Sequence, residues 1–247
     1  MFELELSNAR YWRDCVSSIV SLVDEGIFNI SKEGIGLKAM DPSSISMVSF
    51  FIPNKAFAKF KIDKDANIGL NLENLSKILS RARDNESLVM KDSGNKVVFE
   101  FISQNGSRRY VMQMVEARKG AEKEPSIEFD ANIEIGGDAL REIIKDASLI
   151  SSYISLRASK DHFGISARGD SGELEEQHQA DGAVTKKVSA TKNADSVFNL
   201  EFLENMVKSC PAGVPINISL KTNEPLKVSY PIGEAQITYF LAPYIEE

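Results

Sequence analysis

The stretch "NLENLSKIL" (residues 71–79) opens with the motif Asn-Leu-Glu-x-Leu, and "NLEFLENMV" (residues 199–207) opens with the same motif. The two copies are offset by 128 residues, from position 71 to position 199, which is a little over half of the 247-residue chain. A second pair, "GIGL" (34–37) and "GISA" (164–167), is offset by 130 residues, from 34 to 164. Two landmarks in the same order with nearly one offset indicate an internal duplication.

Each half predicts many short strands and only two helices. Alternating segments such as "FELELS" (2–7) and "IEFDANIEIG" (127–136) are typical of half-buried strands. Apolar residues at steps of three and four predict four helices. The first is marked by Trp12, Val16, Ile19 and Val23, and the other three span residues 72–82, 138–150 and 197–210. Antiparallel sheets need one face covered, and two helices per half can cover it. The sequence therefore predicts an α+β fold of two similar domains, each with antiparallel sheets and two helices.

The predicted domain boundaries follow from a polar segment between the halves. Residues 116–126 are rich in charged residues, Gly and Pro, which is typical of an exposed linker. We expect an N-terminal domain at residues 1–115, the linker at 116–126, and a C-terminal domain at 127–247.

Composition excludes several classes of protein. The net charge of −7 argues against a surface that is coated with nucleic acid, although it allows one basic face. No apolar run approaches the ~18 residues of a membrane span, so no membrane partner is expected. The acidic N-terminus does not resemble a signal peptide, which predicts a cytoplasmic protein. Cys15 and Cys210 are expected to be reduced, buried thiols.

The usual catalytic motifs do not occur. "GIGLKA" (34–39) matches a dinucleotide fingerprint only in letters, because strand-like residues rather than a helix follow it. His162, expected in a turn, and His178, expected to be exposed, have no second ligand at zinc spacing. No Gly-x-Ser-x-Gly elbow is present. These observations predict no cofactor and no metal, and an enzyme is the less favoured interpretation.

Cations recur on the polar faces of all four predicted helices. They are Arg10 and Arg13 on the first, Lys77 and Arg81 with Arg83 just beyond on the second, Arg141 and Lys145 on the third, and Lys208 on the fourth. A solvated helix face is the simpler interpretation of any one helix. Four such faces aligned on one surface would instead attract phosphates without reading bases.

Opposite charges elsewhere suggest contacts between subunits. The third helix carries an acidic stripe, Asp138, Glu142 and Asp146, which could meet a basic cluster on another subunit, namely Arg81, Arg83, Arg108 and Arg109. Such a head-to-tail contact closes into a ring if the rotation permits. Exposed ion pairs contribute only ~0–1 kcal/mol each. Edge strands around "RRYVMQMV" (108–115) and "ELEEQ" (173–177) would therefore have to supply much of the contact.

The chain resembles the proliferating cell nuclear antigen family, the DNA sliding clamps of archaea and eukaryotes. "LKAMDPSSISMVSF" (37–50), "NLENLSKIL" and the ending "YFLAPYIEE" (239–247) carry the likeness, which extends over the whole chain. The short C-terminus is similar to archaeal members. The resemblance implies a homotrimeric ring that encircles duplex DNA, with helices lining the hole and no catalytic activity. It also implies tethering of DNA polymerase, flap endonuclease and DNA ligase through short peptides, loading by a clamp loader, and a nucleoid-associated location in a cell without a nucleus.

The resemblance also assigns residues. Arg13, Lys77, Lys145 and Lys208 match the family's inward cations, while Val20 and Ser80 stand where many relatives have lysine. Tyr110 joins the expected subunit interface. The partner-peptide pocket maps onto Met40, Ser44, Ile45, Ile127, Pro225, Phe240, Ala242, Pro243 and Tyr244. Three alternatives stay open: one subunit of a heterotrimeric clamp, a protein-interaction scaffold without DNA, and an enzyme with an unrecognised site.

Overall fold

A computed structural model describes residues 1–116, 123–170 and 172–245. Contacts divide the chain into two compact units. The first comprises Met1–Pro42, Val48–Lys123 and Ile232–Ile237, and the second Ser43–Met47, Glu124–Pro231 and Thr238–Glu247. Within the described residues, no helix is long and apolar enough to cross a membrane.

In its described residues, the first unit contains two α-helices and nine strands. They are β1 (Phe2–Leu6), α1 (Ala9–Val20), β2 (Glu25–Ser31), β3 (Gly34–Met40), β4 (Ser46–Pro53), β5 (Lys59–Ile62), β6 (Ala66–Asn71), α2 (Leu72–Leu79), β7 (Ser87–Ser93), β8 (Lys96–Ser103) and β9 (Gly106–Gln113), with a 3₁₀ turn at Asn54–Ala56. One sheet has the order β5-β1-β7-β8-β9, and the other strands follow the order β4-β3-β2-β6. The strand β9 therefore lies at a sheet edge.

The second unit repeats this plan. Its elements are β10 (Ala131–Gly136), α3 (Gly137–Ser148), β11 (Tyr153–Ala158), β12 (His162–Gly169), β13 (Gly172–Gln179), β14 (Thr185–Ala190), β15 (Ala194–Asn199), α4 (Leu200–Val207), β16 (Pro215–Leu220), β17 (Leu226–Ile232) and β18 (Ala235–Leu241). The strand orders are β14-β10-β16-β17-β18 and β13-β12-β11-β15, the same as in the first unit. The predicted α+β fold, with two similar halves of antiparallel sheets and two helices each, is confirmed.

The repeated Asn-Leu-Glu motif starts the same helix in both units. The Oδ1 atom of Asn71 accepts a hydrogen bond from the Asn74 N–H at 2.9 Å. The Oδ1 atom of Asn199 accepts from the N–H groups of Glu201 and Phe202 at 3.0 and 3.4 Å. Each asparagine thus satisfies backbone donors that have no partner within the helix, which fixes the point where α2 and α4 begin.

Each helix buries one apolar stripe against the sheets. In α1 the stripe includes Trp12, Cys15 and Val16, and the Trp12 ring lies 5.7 Å from the ring of Phe28. Burying a large aliphatic side chain such as that of Val16 contributes about 1.5–3 kcal/mol to the stability of the fold. The opposite faces of α1 to α4 are left to polar residues, and α1 contacts α2 while α3 contacts α4.

Some predicted boundaries are wrong. The first helix ends at Val20, and the N–H groups of Leu22 and Val23 bond to the Ile19 carbonyl in a tight turn that still buries Val23. Residues 197–199 complete β15, so the fourth helix begins only at Leu200. The strand predicted from residue 127 begins at Ala131. Most of the predicted linker, residues 117–122, lies outside the described residues.

His162 was predicted in a turn, but it begins β12 and is exposed. His178 was predicted to be exposed, and this prediction is wrong. Its side chain is only 17% accessible, and its Nε2 lies 3.0 Å from Glu176 Oε2. "GIGLKA" lies in β3, as the absence of a following helix indicated.

Candidate functional site

The polar faces of α1 and α2 carry three cations and two carboxylates. The guanidinium of Arg13 binds the Asp14 carboxylate with two contacts of 2.8 Å, and Arg10 pairs with Asp84. Lys77 stands 3.9 Å from Glu73, one turn earlier on the same helix, and is 73% exposed. These pairs are loose or solvent-exposed, so their cations can exchange a carboxylate for another anion at small cost.

The turn after α2 is held by a buried carboxylate. Glu86 Oε2 accepts from the Arg83 N–H at 2.8 Å and from Arg108 Nη2 at 2.6 Å. Arg108 also donates to the Arg81 carbonyl at 3.0 Å, and its guanidinium lies 5.2 Å above the Phe101 ring. Arg108 therefore fixes the turn, while the side chains of Arg81 and Arg83 remain exposed.

The helix surface of the second unit has different contacts. Arg141 donates to the carbonyls of Val207 and Cys210 at 3.4 and 2.9 Å, which satisfies acceptors at the end of α4. Lys145 binds Glu142 at 2.7 Å, and Lys208 binds the Asn205 side chain at 2.8 Å. Arg141, only 21% exposed, has a capping role that local sequence spacing could not reveal.

The acidic stripe of α3 is partly engaged inside its own unit. Asp138 accepts from the Gly213 N–H at 2.9 Å and also pairs with Arg141. The Gly213 hydrogen bond, followed by the Arg141 charge, holds the pKa of this carboxyl below its ordinary value of 3.8. Glu142 holds Lys145, and Asp146 is exposed.

Two edge strands carry opposite charges. On β9, Arg109 is exposed beside Val111, and the Tyr110 ring meets Phe101 edge-on at 5.7 Å. On β13, Glu173 and Glu175 are exposed. The sequence identified both segments as edge strands but did not propose these glutamates as interface residues, although their spacing of two on one strand was a usable signal.

The predicted peptide-pocket residues of the second unit meet near the C-terminal tail. The Ala242 N–H donates to the Ile45 carbonyl at 2.9 Å, and the Tyr244 N–H donates to the Val197 carbonyl at 2.7 Å. Ser44 has a φ of 61°, a left-handed turn that leads into the 40% exposed Ile45. Backbone hydrogen bonds therefore hold the apolar side chains of Ile45 and Tyr244 at the surface.

The other predicted pocket residues have varied burial. Ile127, Pro225 and Pro243 are half-buried, and Phe240 is buried with the Lys227 ammonium 5.9 Å from its ring centroid. Met40, in the first unit, is 45% exposed. Of the second-unit positions, Ile127, Pro225 and Pro243 are therefore accessible in part, whereas Phe240 is not.

Sequence reasoning missed the aromatic neighbour of Tyr244. The rings of Tyr153 and Tyr244 lie 4.1 Å apart, at the border of a cavity of about 590 Å³ that is also lined by Arg157, Arg168 and Ile245. Tyr153 and Tyr244 are 91 residues apart along the chain, from position 153 to 244, so no local pattern connects them.

The described residues contain no group of three or more His, Cys, Asp or Glu side chains that could hold a metal ion. Cys15 and Cys210 are free and buried, as predicted. Burial raises the pKa of both thiols, that of Cys210 to about 11.

The chain is similar over its whole length to known proteins. Models of the N-terminal and C-terminal domains of proliferating cell nuclear antigen match residues 1–120 and 123–245. The DNA polymerase sliding clamp of Thermococcus gammatolerans is 26% identical over 247 residues, covering 100% of this chain and 99% of that protein. That of Thermofilum pendens is 27% identical over 248 residues, with 100% of both chains covered.

Solved structures share the fold of this chain. The proliferating cell nuclear antigen of Thermococcus kodakaraensis has a TM-score of 0.93 at 21% identity, covering 99% of this chain and all of the other. The protein of A. fulgidus, solved with the C-terminal region of FEN-1 bound, has a TM-score of 0.91 at 23% identity and full coverage of both chains. With both domain models matched in order along nearly the entire sequence, the chain belongs to the proliferating cell nuclear antigen family.

Proposed function

We propose that three copies of this chain form a ring that encircles duplex DNA and tethers replication and repair enzymes to it. The protein acts as a sliding clamp and has no catalytic role. The names of its relatives support this function, since similar proteins that cover the whole chain are DNA polymerase sliding clamps. The A. fulgidus relative, solved with a piece of FEN-1, supports tethering of a flap endonuclease through a short segment. Polymerase, DNA ligase and a clamp loader are the other proposed partners.

The observation that carries the proposal is a pair of complementary sheet edges on one chain. Edge strand β9 presents the cation of Arg109, and edge strand β13 presents the carboxylates of Glu175 and of Glu173, the latter loosely paired with Arg168 at 3.4 Å. Unpaired edge strands are ready to pair with another chain, and head-to-tail contacts close into a ring where the rotation permits. Because one chain carries both halves of the contact, copies of this chain can pair with one another head to tail.

The remaining interface predictions fit around this strand pairing. Tyr110 packs within its own sheet beside the edge, while Arg81 and Arg83 offer exposed cations for the Asp146 carboxylate of a neighbouring subunit. Arg108, Asp138 and Glu142 already have partners within the chain. They support the interface by shaping it rather than by forming ion pairs across it.

Duplex DNA is held through its phosphates and without reading bases. The first unit offers Arg10, Arg13, Lys77, Arg81 and Arg83 on α1, on α2 and in the turn after α2. Few and exchangeable contacts are what sliding requires, because tight phosphate binding would stop the ring. The contacts predicted for Arg141, Lys145 and Lys208 stay predictions.

Partner proteins bind through the surface around Ile45 and Tyr244. A short peptide would place an apolar anchor there and pair its backbone with the exposed chain, a form of β-augmentation. Ile45→Ser should weaken binding of a peptide from a partner at least fivefold, as measured by fluorescence anisotropy. Ile102→Ser is the matched control, because Ile102 is similarly exposed, at 38% against 40%, on the sheet that ends in β9. Equal loss in both variants would refute this site.

Retention on DNA tests the proposed function itself. Chain loaded onto a nicked circle should stay bound through gel filtration and should leave when the circle is cut to a linear duplex. A scaffold that does not encircle DNA is never retained, and an ordinary DNA-binding protein stays on both forms. Either of these outcomes would refute the clamp.

A further inference from the structure

We propose that the cavity beside Tyr244 binds an acidic side chain of the partner segment, next to the apolar anchor that docks around Ile45 and Tyr244. This inference rests on the proposed function and deepens it, because it states which residues a partner carries beside its anchor. The cavity has a volume of about 590 Å³, and all of its lining residues belong to the second unit.

Small polar residues on two paired strands line the middle of the cavity. Ser155 on β11 and Ser166 on β12 lie directly opposite each other in the antiparallel register. The Ser155 hydroxyl donates to Asp195 at 3.0 Å, whereas the Ser166 hydroxyl forms no hydrogen bond within the described residues. Short side chains leave room for a ligand, and the Ser166 hydroxyl can donate to it.

Two arginines stand on either side of these serines. Arg157 pairs with Gly164 across the strands, and Gly164 is four residues, or about 13 Å along β12, from Arg168. Side chains alternate in direction along a strand, so both arginines lie on the same face as Ser155 and Ser166. A carboxylate placed above the two serines would therefore lie between two cations.

Both guanidinium groups can pair with a further anion. Arg157 is 50% exposed and donates to Asp195 through Nε at 3.0 Å, and its two Nη groups form no hydrogen bond in the described part of the chain. Arg168 is 76% exposed and lies 3.4 Å from Glu173, a loose contact. In the proposed ring Glu173 faces Arg109 of the neighbouring subunit, which leaves Arg168 available.

The charges that line the cavity favour an anionic ligand. Besides the two arginines, the lining holds one carboxylate, that of Asp195. Both of its oxygens are already occupied, Oδ1 by the Ser155 hydroxyl and Oδ2 by Arg157. Glu175 lies opposite Ser166 on edge strand β13, where the proposed subunit contact engages it. Because a guanidinium binds a carboxylate through two parallel hydrogen bonds, glutamate or aspartate is the fitting ligand.

The position of Tyr244 links this cavity to the surface that binds partner peptides. The ring centroids of Tyr153 and Tyr244 lie 4.1 Å apart, and the Tyr244 N–H donates to the Val197 carbonyl at 2.7 Å. Both tyrosines, Val197 and Ile245 also line the cavity. A segment anchored at Tyr244 therefore places its neighbouring residues over the two arginines.

Peptides that differ only in charge test this inference. Each contains the same apolar anchor, from the C-terminal region of a flap endonuclease, flanked on one side by three glutamates or by three glutamines. The flank precedes the anchor in one set and follows it in the other. Binding of the labelled peptides to the intact ring is measured by fluorescence anisotropy.

In one of the two sets the glutamate peptide should bind about fivefold more tightly than the glutamine peptide, the effect of two exposed ion pairs. The net charge of −7 opposes an acidic peptide, so a preference for glutamate has to come from local cations. The preference should shrink between about 0.1 and 1 M salt, where the Debye length falls from about 10 Å to about 3 Å.

Removing the two arginines should abolish the preference. Arg157→Gln with Arg168→Gln should bind both peptides alike. Arg168→Gln alone, at a highly exposed position, should reduce the preference and leaves the fold intact. The matched control is Lys186→Gln with Lys187→Gln, which removes the same charge from exposed positions of β14 in the second unit and should keep the preference. Circular dichroism and mass in solution check that each variant folds and assembles.

Glu246 and Glu247 follow Ile245 in the sequence and are rival ligands for the same cavity. The titrations are therefore repeated with Glu246→Gln and Glu247→Gln combined. A preference for glutamate that appears only in this variant would mean that the chain's own glutamates take the cavity in the wild type. That result would overturn the proposal.

The inference and the proposed function fail separately. Equal binding of the two peptides in both sets, an unchanged preference without the arginines, or an equal loss in the lysine control refutes only the inference. If neither peptide binds the wild-type ring, the peptide site around Ile45 and Tyr244 is refuted and this inference with it.

Discussion

Arg108 and Arg109, which are neighbours on β9, should have different roles. Replacing each in turn with methionine distinguishes these roles. Arg108 points at the buried carboxylate of Glu86, whose side chain is 5% exposed, at a distance of 2.6 Å. Arg109 is exposed at the sheet edge. We expect Arg108→Met to destabilise the first unit and Arg109→Met to weaken subunit assembly.

The magnitude for Arg108 follows from its contacts. A hydrogen bond to a charged group contributes about 1.5–3 kcal/mol. Removing one partner of a buried ion pair costs about 3–5 kcal/mol. Glu86 keeps one donor, the Arg83 N–H at 2.8 Å, and Arg108 is itself 26% exposed. A loss of about 3 kcal/mol is therefore expected for Arg108→Met, against about 0.5 kcal/mol or less for Arg109→Met, the usual range of a surface substitution.

The single tryptophan gives a selective assay. Trp12 is buried in α1, so its fluorescence reports unfolding of the first unit. Urea titrations of dilute, dissociated chains give the free energy of unfolding, and sedimentation at higher concentration gives assembly. Equal unfolding midpoints for the two variants, or intact assembly in Arg109→Met, would refute the reasoning.

Three further outcomes are expected. Asn199→Ala removes the cap of α4 and should lower the free energy of unfolding by about 1 kcal/mol in urea titrations followed by circular dichroism. Cys15 and Cys210 should react with a thiol reagent only after denaturant is added, since burial raises both pKa values. Hydrogen bonds from Lys59 and Lys91 lower the pKa of Glu3. Its contribution to stability is therefore present above the ordinary value of 4.5 and is lost on acidification below it, so tryptophan fluorescence should show a smaller acid loss in Glu3→Gln.

The sequence predicted the duplication and the fold because local chemistry and burial agree at the repeated motif. Asn71 and Asn199 cap α2 and α4, and the leucines that follow lie on the buried face. Element ends were harder to predict. Val197 and Phe198 are apolar in either a strand or a helix, and only the cap at Asn199 separates the two. Val23 stays buried although the helix has ended, so a burial pattern alone does not locate the last turn.

The candidate site was predictable in part for similar reasons. Lys77 follows from helical spacing, a property of nearby residues, whereas Arg81 lies in the turn beyond Leu79 and was predicted on the helix. The contacts of Arg141 with Val207 and Cys210, and of Tyr153 with Tyr244, join residues far apart along the chain. Such pairs depend on how strands are ordered in a sheet, and hydrophobic periodicity carries no information about that order.

The most direct test of the central claim is the mass of the wild-type chain in solution at micromolar concentration. Sedimentation equilibrium should give three times the 27.3 kDa of one chain if, as proposed, β9 of each copy pairs with β13 of the next in a ring of three. A mass of one chain or of two would contradict it.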